Sequence, residues 1–311
     1  MRLAPLNLAT QRVRKMATHA ALSAPQQLAQ RCRELSSSPE TRAAFLPFSV
    51  AQQTLGYVSP VFAAKLARWP EVFRVSDAAV VLEGSEASVE QRSAAVADCM
   101  RQLQAEGVIT GWRNELLPVA VGFGLAPELL LERAAAPFFG IRAYGVHVNC
   151  FVRSPHGVLV WVARRSMSKS LWPGLLDHAV AGALPHGVSP QDNVVKEAGE
   201  EAGIPPELAA RAVPAGVVSY CAVGLDWMKR DVLFAFDLEL PPEFMPTPTD
   251  GEVDQFSLLP VDRVVELAAS GSYKPNCVLI IADWLIRNGF LTPEQPGYLE
   301  LCDALRMGDL R

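Results

Sequence analysis

The chain has 311 residues, half of them apolar, which is enough to build two hydrophobic cores of medium size. Its formal charge of −5 at pH 7 and its isoelectric point near 5.6 argue against a nucleic-acid-binding protein that relies on a basic surface. The six cysteines form no CxxC pair and no Cys/His metal spacing, which predicts buried thiols in a reducing compartment.

The first 35 residues are predicted to form a basic leader. Residues 1–33 contain no Asp or Glu, whereas Ser, Thr and Ala are scattered among basic residues at 2, 12, 14, 15, 31 and 33. This composition is typical of an organelle transit peptide, and the alternative is a disordered leader without an address. A transit peptide would direct the protein to a chloroplast or mitochondrion, and without one it would be cytoplasmic. In both cases we expect residues 1 to about 33 to be dispensable for folding and activity.

Residues 36–140 are predicted to form a smaller α+β domain. Ser88 and Gln91 have the spacing of a capping box at the start of a helix, and Gly107 follows its end. The stretch VITGWRNELLPVAV at 108–121 indicates short extended segments. The run from Leu129 to Ala135 favours another helix.

Residues 141–292 are predicted to form a second domain that contains both strands and helices, followed by a C-terminal tail at 293–311. The runs VHVNCFVR and VLVWVARR are apolar and β-branched, and the SPHG between them suits a tight turn, which predicts a hairpin. Further strands are expected at 213–223 and 231–240, and a late helix at about 276–288. The apolar run CVLIIADWLI is too short to span a bilayer and contains Asp283, so we expect no membrane segment.

A helix rich in glutamate is predicted at about 190–202, because Ser189 and Pro190 mark its start and Gly203 its end. Acids in its last two turns are disfavoured by the helix dipole and repel one another. Their i, i+3 and i+4 spacing directs all three carboxylates to one face. Such hard oxygen ligands suit Mg²⁺ or Mn²⁺, which bridge to substrate phosphates, whereas the alternative is a solvated acidic face. The three acids are Glu197, Glu200 and Glu201.

The stretch from Gly182 to Ile204 resembles the Nudix box, in which a glycine, an Arg-Glu pair and a Glu-Glu pair have fixed spacing. Two positions depart from the box: Val188 stands in place of its first glutamate and Lys196 in place of its arginine. The same two departures are typical of Nudix proteins related to thiamine pyrophosphokinase, which have an additional N-terminal domain. The chain also resembles these proteins in the stretches WRNELLPV at 112–119 and KPNCVLIIADWLIRNGFL at 274–291. The resemblance covers roughly residues 40–292.

This resemblance implies an α/β/α sandwich with a mixed sheet and a metal-dependent hydrolase that cleaves organic diphosphates. It implies that the three glutamates of the helix are catalytic and bind the metal, with a backbone carbonyl near Ala181 or Gly182. The later loop DGEVDQF offers Glu252 as a further metal ligand, with a simple turn as the alternative. Arg164, Arg165 and Lys169 follow a strand and are expected to bind the terminal phosphate, unless they form a solvated basic loop. His178 and His186 are interpreted as core or loop histidines.

The substrate implied by the resemblance is oxidised thiamine diphosphate, in its oxo and oxy forms, which would be converted to the monophosphate and phosphate. Removing such damaged molecules would protect thiamine-dependent enzymes from inhibitors. The partner is thus a small-molecule diphosphate rather than a nucleic acid or membrane. Two alternatives are hydrolysis of a nucleoside diphosphate derivative such as ADP-ribose, and a non-catalytic Nudix-fold sensor. The candidates for stacking on the substrate ring are Trp112, Trp161, Trp172, Tyr220 and Trp227.

Overall fold

A computed structural model describes residues 22–308 as two α/β units joined near residue 141. Residues 1–21, which make up most of the predicted leader, lie outside the described residues. Within 22–308, no helix has both the length and the apolar character needed to cross a bilayer.

The described residues begin with helix α1 and continue into the N-terminal domain, whose four-stranded sheet has the order β2-β1-β4-β3. Strands β5 and β6 form a separate antiparallel ribbon in this domain. The helices are α1 Ala24–Leu35, α2 Pro39–Arg42, α3 Pro60–Leu66, α4 Val89–Ala105 and α5 Ala136–Phe139. The strands are β1 Leu46–Val50, β2 Gln53–Val58, β3 Phe73–Val75, β4 Val80–Leu82, β5 Leu116–Val119 and β6 Leu129–Glu132.

One helix of this domain is confirmed and one is wrong. The capping box of α4 is present, because the Gln91 N–H donates to Ser88 Oγ and the Ser88 N–H donates to Gln91 Oε1. The helix predicted from Leu129 to Ala135 is instead strand β6, in which Leu129 and Leu131 are buried with the two-residue period of a strand. A run of three leucines is too short for its periodicity to distinguish the two structures.

The second domain is built on a seven-stranded mixed sheet. Its main path is β11-β12-β7-β8-β13, and only β12 and β7 pair in parallel. The predicted hairpin, the two later strands and the late helix are confirmed. The strands are β7 Arg142–Ser154, β8 Gly157–Arg165, β9 Leu176–His178, β10 Val180–Ala183, β11 Val213–Val223, β12 Met228–Glu239 and β13 Val253–Pro260. The helices are α6 Pro190–Ala202, α7 Pro206–Ala209, α8 Val261–Ala269, α9 Cys277–Arg287 and α10 Tyr298–Ala304.

Both faces of this sheet are covered by helices. Val146 and Val148 of β7 pack with Val194 and Ala198 of α6 in one core. Phe151 of the same strand belongs to the opposite core, which α1, α8, α9 and α10 complete. Because alternate residues of a strand face opposite sides, one strand contributes to both cores. The predicted α/β/α sandwich with a mixed sheet is therefore confirmed.

The predicted boundaries of the leader and of the tail are wrong. Ser23 and Gln26 form a capping box that starts α1, and Leu28 and Cys32 are buried in the core of the second domain. At the other end, Leu301 of α10 is buried in the same core, so residues 298–304 are not a tail. The two helices pack against each other, and each depends on the other for burial of its apolar face.

Two of the basic residues that suggested a leader have structural partners. Arg31 Nε donates to the carbonyl oxygen of Ala269 at 3.3 Å, and Arg33 Nη2 donates to that of Glu300 at 3.2 Å. Both carbonyls lie at or beside helices that cover the sheet. The basic composition of residues 24–35 therefore reflects helix packing rather than an address signal.

Strand β7 pairs with two different strands along one of its edges. Its other edge pairs with β12 from Arg142 to Phe151, so β10 and β8 must share the remaining edge. Strand β10 occupies it from Gly145 to Val148, and β8 from Phe151 to Ser154. Strand β9 pairs with β8 beyond the point where β7 and β8 separate. This split brings β9 and β10 between the two long strands, directly beside α6.

Candidate active site

Helix α6 begins and ends where the sequence predicts. The Asp192 N–H donates to Ser189 Oγ at 3.1 Å, and the Ser189 hydroxyl donates to Asp192 Oδ2 at 2.6 Å. Gly203 terminates the helix with a φ of 61°, in the left-handed region that glycine adopts without a steric penalty. Its last two turns therefore carry the three glutamates.

Two of the three glutamates are directed at strand β10. Glu201 Oε2 accepts a hydrogen bond from the Ala181 N–H at 2.8 Å. The Glu197 side chain occupies the space in which a Cβ at position 182 would lie, so only Gly182 leaves room for it. Glu200 is exposed beside them. The predicted carboxylates thus lie on one face, next to the backbone at 181–182.

Burial and mutual repulsion disfavour the charged state of two of these acids. Burial raises the pKa of Glu197, and the charges of Glu200 and Glu115 raise it further, although Lys196 opposes them. Burial also raises the pKa of Glu201 well above its usual range, against the lowering effect of the Ala181 hydrogen bond. A cation bound beside these carboxyl groups stabilises their charged form and lowers their pKa values.

Lys196 links two of the glutamates. Its Nζ lies 3.1 Å from Glu197 Oε1 and 2.8 Å from Glu200 Oε2. The lysine that replaces the arginine of the Nudix box therefore contacts both carboxylates with a single ammonium group. Because its charge is compact and its stem flexible, it holds them less rigidly than a planar guanidinium would.

The loop before β13 packs against the C-terminal end of α6. The Thr249 hydroxyl donates to the carbonyl oxygens of Gly199 and Glu200, the former at 3.3 Å. Glu252 follows in this loop, but its carboxylate forms an ion pair with Lys169. Burial raises the pKa of Glu252, whereas the hydrogen bond and charge of Lys169 lower it, and the net shift is downward. The loop that carries the predicted further metal ligand thus contacts the end of α6, and the Glu252 carboxylate itself is paired with a cation.

The three predicted phosphate-binding cations have protein partners. Arg165 Nη1 lies 2.8 Å from Asp177 Oδ2, and Arg165 also donates to the carbonyl oxygens of Leu171 and Trp172. Arg164 Nη1 donates to the carbonyl oxygen of Gly174 at 2.8 Å. Together with the Lys169–Glu252 pair, these contacts shape the loop between β8 and β9.

The two histidines lie where the sequence interpretation expects them. His178 is buried in the core, where its Nδ1 lies 3.0 Å from His147 Nδ1, and burial lowers its pKa to about 4. His186 is exposed in the loop before α6, and its backbone N–H donates to the carbonyl oxygen of Leu116 at 3.0 Å. The partner His147 was not identified from the sequence, since 31 residues separate it from His178.

The hydrogen bond from the His186 N–H to the Leu116 carbonyl oxygen brings the start of β5 to the site, together with the segment of the N-terminal domain just before that strand. Glu115 of this segment is paired with Arg133 at 2.7 Å, and its charge contributes to the raised pKa of Glu197. Asn114 has a φ of 56°, which is uncommon for a residue other than glycine and is found preferentially at functional sites. The resemblance marks this segment as a motif, but nothing in the sequence predicts that it lies near helix α6.

Comparison with known proteins accounts for both domains. A model described as "Domain of unknown function (DUF4743)" matches residues 26–143, and one described as "NUDIX domain" matches residues 143–276. The chain is 45% identical over 275 residues to "Nudix hydrolase 20, chloroplastic" of Arabidopsis thaliana, covering 85% of this chain and 74% of that protein. The chain belongs to the Nudix hydrolase family.

Two further relatives share this organisation. "Nudix hydrolase 24, chloroplastic" of Arabidopsis thaliana is 45% identical over 268 residues, which are 85% of this chain and 73% of that protein. The uncharacterized protein YJR142W of Saccharomyces cerevisiae is 33% identical over 249 residues, 74% of this chain and 72% of that protein. The predicted combination of an N-terminal domain with a Nudix hydrolase domain is confirmed, and so is the prediction of a hydrolase that acts on diphosphate bonds.

Nudix hydrolases generally use divalent metal ions, and the side chains of this chain fit one. Glycine at 182 leaves a space that the Glu197 carboxylate fills. The raised pKa values of Glu197 and Glu201, caused first by burial, identify carboxyl groups that lack sufficient positive charge around them. Lys196 is a single cation shared by two acids. A hard divalent cation is the partner that such oxygen donors prefer.

Proposed function

We propose that this Nudix hydrolase uses Mg²⁺ or Mn²⁺ to hydrolyse an organic diphosphate with an aromatic ring, and that oxidised thiamine diphosphates are its preferred substrates. The products are the monophosphate and phosphate. The observation that carries the proposal is the convergence of Glu197 and Glu201 on the backbone at 181–182, with Glu200 beside them.

The three glutamates act as the metal-binding and catalytic group. When bound, a divalent cation neutralises the charge of the diphosphate oxygens. The backbone of β10 helps to orient both acids, because Gly182 leaves room for the Glu197 side chain and the Ala181 N–H donates to Glu201. Glu197 and Glu201 are the candidates for the base that accepts a proton from the attacking water, because burial raises the pKa of both carboxyl groups. Lys196 acts as a positioning residue for Glu197 and Glu200.

Lys169 in the β8–β9 loop contacts the terminal phosphate in this proposal, and the neighbouring arginines support it. Lys169 exchanges its partner Glu252 for a phosphate oxygen, and Glu252 is then free to bind the metal. Arg164 and Arg165 remain bound to the backbone carbonyls of the loop and keep it in shape. Arg113 of the N-terminal domain adds a positive charge whose effect reaches Glu252. The phosphate subsite is therefore built from both domains.

An exposed aromatic surface supports a substrate with a planar ring. Phe123 of the N-terminal domain lies 4.9 Å from Tyr144 and 4.7 Å from Phe234, measured between ring centroids. Gly182 pairs with Val146, and residues that pair across an antiparallel ladder face the same side. Tyr144 is two residues further along β7, about 7 Å away, on the face that carries Glu197. A diphosphate at the glutamates therefore has its organic end within reach of these rings.

Two of the five stacking candidates from the sequence are excluded from this role. Trp161 and Tyr220 are buried in the two cores of the second domain. Trp172 and Trp227 are exposed, and Trp172 has a φ of 57° in a loop that Arg165 holds by two carbonyl contacts. Trp172 is therefore the tryptophan best suited to contact the substrate from the side of the phosphate loop.

The ring preference is tested with a panel of diphosphates. We expect faster phosphate release from oxo- and oxythiamine diphosphate than from thiamine diphosphate, ADP-ribose and nucleoside diphosphates, with Mg²⁺ or Mn²⁺ present. Phe123→Ala is expected to raise KM for the thiamine compounds by about 10-fold, because stacking of one aromatic ring contributes about 1–1.5 kcal/mol. Leu125→Ala, at an exposed position in the same loop, is the matched control and leaves KM unchanged.

Each contrary outcome of this panel has a separate meaning. Faster turnover of ADP-ribose would contradict the substrate assignment and retain the diphosphate chemistry. Tight metal-dependent binding of one compound without turnover of any would favour the sensor. An unchanged KM for Phe123→Ala would remove the aromatic surface from the substrate site.

We also propose that residues 1–21 direct the protein to a plastid. They contain Arg2, Arg12, Arg14 and Lys15 but no acidic residue, and two relatives are named as chloroplastic. A fluorescent protein fused after residue 21 is expected to accumulate in chloroplasts of plant cells. Replacing the four basic residues by glutamine should abolish this import, and accumulation in mitochondria or in the cytoplasm would contradict the assignment.

A further inference from the structure

A buried cluster of four potential metal ligands lies in the split between β7 and β8. It contains His147 of β7, Asp177 and His178 of β9, and Cys277 at the first position of α9, and all four are buried. Each contributes one ligand atom, and these atoms lie within 4.8 Å of one another. None of the four belongs to the glutamate cluster on α6.

The distances between the ligand atoms approach those of a tetrahedral site. The two histidine Nδ1 atoms are 3.0 Å apart, and Cys277 Sγ is 2.9 Å from Asp177 Oδ1. In a Zn²⁺ site with bonds of about 2.0–2.3 Å, neighbouring ligand atoms are about 3.3–3.8 Å apart. To admit an ion, these two pairs move apart by about half an ångström, and any pair near the 4.8 Å limit of the cluster moves closer together.

A second observation is a buried polar atom of the cluster without a partner. His178 Nε2 is buried, and among residues 22–308 it neither accepts nor donates a hydrogen bond. The hydrogen-bond contact of the His178 ring is therefore the one between its Nδ1 atom and His147 Nδ1. Buried polar groups are otherwise almost always paired, so this nitrogen is an open position on the His178 ring, on the side away from the His147 Nδ1 atom.

The surroundings of Asp177 resemble the outer contacts of a metal-binding carboxylate. Its Oδ1 faces Cys277, while its Oδ2 is held by Arg165 at 2.8 Å and by Lys274 at 3.2 Å. Ligating carboxylates are commonly fixed by hydrogen bonds to their second oxygen. The two cations also allow Asp177 to remain ionised inside the protein.

We propose that His147, Asp177, His178 and Cys277 bind a transition-metal ion, and that the mixture of nitrogen, sulfur and oxygen donors selects Zn²⁺. Binding breaks the Cys277 S–H bond, forms a metal–sulfur bond and releases one proton to solvent. The thiolate and the Asp177 carboxylate together balance the charge of the divalent ion. Because the ligands come from β7, β9 and α9, the ion fastens the N-terminal end of α9 to the split in the sheet.

This site is tested on the full-length protein with Zn²⁺ and Co²⁺ as probes. After dialysis against excess Mg²⁺, we expect one equivalent of Zn²⁺ per chain. Replacement by Co²⁺ should produce a thiolate-to-cobalt charge-transfer band, which the oxygen ligands of the glutamate cluster cannot give. Cys277→Ala should abolish the band and weaken Zn²⁺ binding at least about 100-fold. Cys150→Ala, which removes a buried thiol from the other face of β7, should retain both.

Two results would overturn this proposal. The first is a wild-type Co²⁺ protein with a native circular dichroism spectrum and no charge-transfer band, a result that needs no variant to fold. The second is unchanged Zn²⁺ content in Cys277→Ala. If Cys277→Ala is insoluble, His147→Ala provides the same comparison, with loss of Zn²⁺ expected.

Discussion

Glu197→Gln and Glu201→Gln are expected to lower turnover about 10²–10³-fold or more without unfolding the protein. Glutamine keeps the shape of each side chain, and its carbonyl oxygen at 201 can still accept the hydrogen bond from Ala181. What it removes is the negative charge that binds a divalent cation and the proton affinity of the carboxylate. Phosphate release under saturating Mg²⁺ is the measurement, and Glu207→Gln, at an exposed position of helix α7, is the control.

The same variants should alter stability in a direction set by the raised pKa values. A carboxyl whose pKa is raised in the folded chain stabilises the fold below its unfolded pKa, near 4.5, and this contribution is lost as the pH rises through the folded pKa. At pH 7 without divalent ions, Glu201→Gln is therefore expected to be more stable than the wild type. Chemical denaturation at pH 7 and pH 4 should show a smaller difference at pH 4. Wild-type turnover together with unchanged stability would contradict both roles of Glu201.

Leu28→Ala is expected to lower the free energy of unfolding by about 2–5 kcal/mol. Leu28 is fully buried between α1 and the helices of the second domain, and removing its side chain leaves a cavity there. A chain that begins at Glu34 loses this contact and nearly all of α1, and it should fold poorly. Leu22→Ala, at an exposed position just before the same helix, is the control and should change stability by less than about 0.5 kcal/mol.

Urea denaturation of the full-length protein measures this effect. A change below about 1 kcal/mol for Leu28→Ala, or wild-type stability and turnover of the chain beginning at Glu34, would contradict the packing of α1. Residues 1 to about 33 would then be dispensable for folding and activity, as the sequence alone predicts.

Local signals in the sequence predict the bounds of helix α6 but do not predict the two terminal helices α1 and α10. Ser189, Pro190 and Gly203 mark α6 through contacts within a few residues, so its bounds follow from sequence alone. Helix α1 has a comparable capping box, but its apolar stripe is short and its basic residues dominate the composition. Those basic residues bind carbonyl groups about 240 and 270 positions away in the chain. Such partners cannot be read from composition.

The same distinction separates the two clusters of potential metal ligands. The glutamates on α6 share one helix, and their spacing alone directs them to one face. The cluster of His147, Asp177, His178 and Cys277 is assembled from three elements, with up to 130 positions between its members. This cluster forms because β9 lies in the split between β7 and β8 and the first residue of α9 lies beside β9. The sequence therefore lacked any Cys/His spacing that would have predicted this cluster.

Metal-dependent phosphate release by the wild-type protein tests the central claim most directly. Wild-type chain is incubated with oxothiamine diphosphate and either Mg²⁺, Mn²⁺ or a chelator, and phosphate and monophosphate are quantified together. Equal amounts of the two products with either metal, and none with the chelator, are the expected result. Turnover that persists in the chelator, or no phosphate from any organic diphosphate with either metal, would contradict a hydrolase built on Glu197, Glu200 and Glu201.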